Sequence, residues 1–87
     1  MHETSLVKDL LRRVFEVASC EHAKKIVAVR VKLGVLSGFS AGHLREHFIE
    51  EAAGTAAEGA RLDVELGDDP NDPDAQQVVL LDLEVSE

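Results

Sequence analysis

The chain has 87 residues, 45% of them hydrophobic, with no Trp or Tyr and a formal net charge of -8. This length holds one domain with a modest core, and the charge excludes nucleic acid and anionic membrane as partners, since both would repel the surface; a cation or a basic protein fits it. The single Cys20 excludes an intrachain disulfide, no apolar run approaches a membrane span, and the opening residues lack the basic start and apolar centre of a signal peptide, so the chain is expected to be cytoplasmic.

The chain opens Met1-His2-Glu3. A free amino terminus, one peptide nitrogen and the imidazole of a second-position histidine can close fused chelate rings around one metal ion, and tetragonal nitrogen coordination is what Ni(II) and Cu(II) prefer. The terminal amine loses its proton at about pH 7.7 to 8.0, so binding at neutral pH carries a small proton cost. A second-position histidine is also, more commonly, an exposed side chain on a frayed terminus.

From Thr4 to about Cys20, Leu6, Val7, Leu10, Leu11, Val14, Phe15, Val17 and Ala18 recur at helical spacing between charged residues, which predicts an amphipathic helix capped by Thr4 or Ser5, with the opening tripeptide just outside its first turn. The polar stretch 21–25, with His22 as a turn residue, leads to a period-two pattern over Ile26 to Val35. There Val27, Val29, Val31 and Leu33 are expected on a buried face, with Ala28, Arg30 and Lys32 opposite. A second helix is predicted from about Ser40 to Ala53, with Leu44, Phe48 and Ala52 on one face and Gly54 as its stop. Leu62, Val64 and Leu66 mark a second strand, and Val79, Leu81, Leu83 and Val85 a third. Residues 67–77, GDDPNDPDAQQ, read as an exposed acidic loop.

The order helix-strand-helix-strand-strand predicts an α/β two-layer sandwich. A right-handed crossover makes the first two strands parallel, the last two strands are joined by a loop and pair antiparallel, and both helices cover one face of the resulting three-stranded mixed sheet. With only Phe15, Phe39 and Phe48 as aromatics, aliphatic side chains carry the core.

Other chemistry is sparse. His43 and His47, four apart on the polar flank of the second helix beside Glu50, can chelate a metal from one face, although a solvated stripe is the commoner meaning of such a pair. The acidic loop lacks the alternation, central glycine and twelfth-position Glu of a calcium loop. Cys20 is expected to be a semi-buried structural thiol. Gly34, Gly38 and Gly42 read as turn chemistry, and no nucleophile constellation or phosphate loop is present, so an enzyme is disfavoured.

Met1-His2-Glu3 with Ser5-Leu6, a strand ending Leu33-Gly34-Val35-Leu36-Ser37-Gly38, a helix with Leu44-Arg45 and Phe48, then Gly54-Thr55 and Ala57-Glu58-Gly59-Ala60-Arg61-Leu62, together resemble the HypA/HybF hydrogenase maturation family. The resemblance runs from Met1 to about Leu66, and Val79 to Val85 looks like that family's closing strand. It implies a non-enzymatic nickel metallochaperone that takes Ni(II) at Met1 and His2, with Glu3 as an adjacent carboxylate. It also implies two partners, a nickel-handling GTPase and the hydrogenase large subunit precursor, with urease assembly as the recipient in some organisms. Monomer and homodimer both stay open. The family carries a zinc module with two C-x2-C pairs between its last two strands. Here residues 67–77 stand in its place without cysteines, so the chain is expected to be a single nickel-binding domain, 1–87, without structural zinc. The alternative is a metal-independent interaction module that kept the fold.

Overall fold

The computed structural model describes residues 3–86, built as α1 (Glu3–Cys20), β1 (Lys25–Leu33), α2 (Ala41–Ala52), β2 (Arg61–Leu66) and β3 (Val78–Ser86). The order and architecture are those expected: β1 lies at the centre of the sheet, parallel to β2 on one side and antiparallel to β3 on the other.

Helix α1 buries Val7, Leu10, Leu11, Val14 and Ala18, the stripe its 3.6-residue period creates. Its start departs from expectation: it begins at Glu3, so Thr4 and Ser5 lie within the first turn and neither is its cap. It ends in a Schellman turn. The His22 N–H donates to Ser19 O (3.1 Å) and the Ala23 N–H to Ala18 O (3.0 Å), while His22 takes the left-handed conformation, φ 55°. His22 is therefore the turn residue the sequence indicated.

Strand β1 buries Ile26, Val29, Val31 and Leu33 under the helices. Val27 does not belong to that row: it is 39% exposed, because the β1–β3 register slips between Ile26/Val85 and Ala28/Glu84, a bulge that turns Val27 outward. A second slip, between Arg30/Asp82 and Val31/Leu80, does the same to Leu81 of β3, 41% exposed. Val85 and Leu83 point into the core below it, and Leu80 and Val78 take over above it. On the outer face Arg30 approaches Glu65 at 3.9 Å and Arg61 Nε donates to Asp63 at 3.0 Å, exposed pairs of the kind worth about 0–1 kcal/mol.

Helix α2 is capped by Ser40, whose Oγ accepts from the His43 N–H at 3.1 Å, and it buries Leu44, Phe48 and Ala52 as expected. Gly42 falls in its first turn rather than in a loop. At the far end Gly54 has φ 79°, the Thr55 hydroxyl donates to Ala52 O (2.6 Å), and the Glu58 carboxylate accepts from the Gly54 N–H (2.7 Å). The Ala56 carbonyl then accepts from the Ile26 N–H at 3.0 Å, tying this connection to the start of β1. Arg45 Nε reaches the free edge of β2 at Leu62 O (3.3 Å).

Residues 67–77 are more than a solvated link. Their last part extends the sheet: the Gly34 N–H donates to Gln77 O (2.9 Å) and the Leu36 N–H to Ala75 O (2.7 Å), and Ala75 is buried. Lys32 Nζ donates to Asp72 Oδ2 at 3.3 Å, and Asp72 Oδ1 accepts from the Asp74 N–H at 2.9 Å. The Asp74 N–H and the Lys32 ammonium hold the Asp72 carboxyl below its ordinary range.

Two predictions follow from these contacts. A Cβ on Gly34 would lie 2.2 Å from the Ala75 carbonyl oxygen, whereas one on Gly42 meets nothing within 4 Å. Urea unfolding should show Gly34→Ala destabilised by roughly 1–3 kcal/mol and Gly42→Ala stabilised by up to about 1 kcal/mol. For Asp72, a lowered folded-state pKa contributes stability that is fully present above the ordinary aspartate range and lost as pH falls through it. Asp72→Asn should therefore unfold at lower urea than the parent at pH 7, with the two midpoints converging as the pH is taken below that range.

Candidate metal site

Of the three residues at the chain's opening, Met1 and His2 lie outside the described residues, and Glu3 is the first residue of α1. What supports them is well defined. Val7, Leu10 and Leu11 fix the first turns of α1 against the core, so the helix from which the opening residues extend is anchored.

The directions of the helices gather further residues at the same end. Near its start α1 shares a groove with Gln77 and Val78, the beginning of β3, and near its finish it shares another with Leu83 and Val85. It therefore runs along β3 and against β1. Helix α2 returns the chain from the end of β1 to the start of the parallel β2, so it also runs against β1. Both helices start where β1 and β2 finish, and the first turns of α2 carry His43 and His47.

Those two rings lie 5.5 Å apart between centroids, tilted by 56°. Phe39, in the loop before α2, meets His47 edge-on at 6.1 Å and 72°, an arrangement the ring quadrupole favours. His43 is exposed and His47 half-buried. The spacing in sequence had placed the two imidazoles on one face; the support from Phe39 depends on the 34–40 loop folding back, which no local pattern announces.

Other candidates stay apart. Among the described residues no three His, Cys, Asp or Glu side chains group as a metal cluster. Cys20 is exposed rather than semi-buried, because it lies in the last turn of α1 beyond Ala18, the last residue of that helix in the core. In the 67–77 loop the Asp69 and Asp72 carboxylates accept from turn N–H groups, and Asp72 also accepts from Lys32. Among the described residues no helix is long and apolar enough to cross a membrane.

Comparison with known proteins gives this arrangement a family. The model of the family described as hydrogenase/urease nickel incorporation, metallochaperone, hypA matches residues 1–68. The hydrogenase maturation factor HypA of Archaeoglobus fulgidus is 35% identical over 66 residues, which is 76% of this chain and 60% of that protein. That of Chlorobium limicola is 40% identical over 65 residues, 75% of this chain and 56% of that one. The matched part of the chain thus spans between 46% and 60% of the length of such relatives. In three dimensions it is similar to the nickel metallochaperone HypA from Helicobacter pylori, with a TM-score of 0.81 over 99% of this chain and 98% of that one, at 23% identity, a likeness of fold. The 1–68 match takes in the opening tripeptide, both helices and the two parallel strands, and the chain belongs to the HypA family of hydrogenase and urease metallochaperones, which are not enzymes.

Proposed function

We propose that the protein is a nickel carrier for metalloenzyme assembly. It takes Ni(II) as cargo through the Met1 amine, a neighbouring peptide nitrogen and the His2 imidazole, with Glu3 as an adjacent carboxylate, and releases it by ligand exchange. The observation that carries this reading is the family match that begins at residue 1 and runs to 68, so that it includes all three residues. Nitrogen donors at a chain start suit nickel in tetragonal geometry, and three of them leave room for an incoming ligand from a recipient. The first turns of α1, anchored in the core by Val7, Leu10 and Leu11, give those residues a fixed point of attachment.

On this reading the partners are a nickel-handling GTPase and the hydrogenase large subunit precursor or its urease counterpart, in the cytoplasm. Residues 67–77 replace a zinc module within a single domain of residues 1–87, without structural zinc. That short connection, folded against Gly34 and Lys32, also favours a second reading, a metal-independent docking module. Pull-down of the GTPase or precursor with and without nickel separates the two, since only the carrier needs the ion for transfer.

Titration of Ni(II) into protein with an unmodified amino terminus tests the capture. His2→Ala and a variant extended by one residue at the amino end should each bind at least tenfold more weakly than the parent, and the planar nitrogen absorption of the nickel complex should disappear. Equal affinity in all three would exclude the amino-terminal site.

A further inference from the structure

Where α1 meets the end of α2 there is an open groove of about 710 Å³. Its floor is apolar: Leu11 is buried, and Phe15 packs against the core with part of its ring left outside. Its rim is charged, and the charges are sorted along it. Lys8 and Arg12 stand toward the start of α1, whereas Glu16 on α1 and Glu51 on α2 stand toward its finish. Among the described residues Lys8, Glu16 and Glu51 make no ion pair, and Arg12 has only the exposed Asp9 at 3.4 Å, a surface contact of the weak kind.

A surface that is basic at one end, apolar in the middle and acidic at the other is complementary to itself reversed, which is the condition for an isologous contact. We infer that this groove seats a second copy of the chain, related by a twofold axis with the two α1 helices antiparallel. With the axis passing between Leu11 and Phe15, Leu11 of each copy meets Phe15 of the other. Glu16 of one copy then lies level with the interval from Lys8 to Arg12 of the other, a span of about 6 Å along the helix. A pairing in the same direction would set Lys8 and Arg12 against their own kind. The antiparallel pairing carries the starts of the two α1 helices away from each other, each about 15 Å from the axis, so the two chain openings stay separate and uncovered. One helix face is a contact at the small end of specific interfaces, which makes the dimer reversible. None of this depends on the proposed nickel capture.

Sedimentation of the full chain at rising concentration tests the inference, and the parent is expected to pass from monomer to dimer. Lys8→Glu with Arg12→Glu makes the rim wholly acidic; Glu16→Lys with Glu51→Lys makes it wholly basic. Each double variant should self-associate about tenfold or more weakly than the parent, because like charges then face each other across the axis. Mixed in equal amounts, the two should recover a one-to-one dimer at least as tight as the parent's, a result that misfolding cannot produce. In the unaltered protein, dilution should shift the NMR signals of Leu11 and Phe15 and leave those of Leu66 and Leu81 in place. A parent that stays monomeric up to about 1 mM, double variants that dimerise as the parent does, an equal mixture that stays monomeric, or dilution shifts centred on Leu66 or Leu81 would each overturn the inference.

Discussion

The inner row of β1 is the constraint on which the rest of the molecule depends. Ile26, Val29, Val31 and Leu33 are each at most 2% exposed, and they are buried only because both helices cross the same face while β2 and β3 satisfy the two edges of the strand. Burial of one such side chain is worth roughly 1.5–3 kcal/mol. The row draws Val7, Leu10 and Val14 of α1 and Leu44 and Phe48 of α2 into one cluster. Apart from Phe48 at its centre and the partly buried Phe15 and Phe39 against it, that cluster is aliphatic, and it extends from one helix to the other.

The two ends of the sheet are closed differently. At the start of β1, backbone groups do the work: the Ile26 N–H meets the Ala56 carbonyl and the Lys24 N–H the Ser86 carbonyl. At its finish the 67–77 segment folds back so that the Ala75 carbonyl lies over Gly34, a position where only the absence of a side chain admits the approach. The outer edges are protected from adding further strands by charge and irregularity. Arg45 occupies Leu62 O on β2, and β3 carries a bulge with Asp82 and Glu84 beside it.

Much of this was legible in the residues. Period 3.6 in α1 and α2 named the buried faces, Ser40 and Gly54 marked the limits of α2, and the element order gave the parallel and antiparallel pairings. Strict alternation misplaced Val27, since period two holds only while neither strand gains a residue, and a bulge is decided by pairing with a distant strand. The start of α1 was missed because hydroxyl residues suit a cap and a first turn alike. The role of 67–77 was hidden by its composition: Asp, Pro and Asn predict turns, and say nothing of the backbone bonds that Gly34 and Leu36 make to it. At the site, the four-residue spacing put His43 beside His47, but the Phe39 contact comes from tertiary folding.

The starts of α1 and α2 bear on what kind of metal binding the fold would support near the chain's opening, where nickel capture is proposed. In open α/β sheets ligands meet the protein beyond the carboxyl ends of parallel strands, and here that end of β1 and β2 is also where α1 and α2 begin. A helix start carries the equivalent of about half a positive charge, which opposes a cation held nearby. The excess of acidic residues, seventeen against nine basic ones, favours the cation over a longer range. Long-range attraction combined with short-range opposition raises the rate of arrival more than the lifetime of the complex. A resident structural metal would be poorly served by that combination; an ion that must be collected and then surrendered is well served by it.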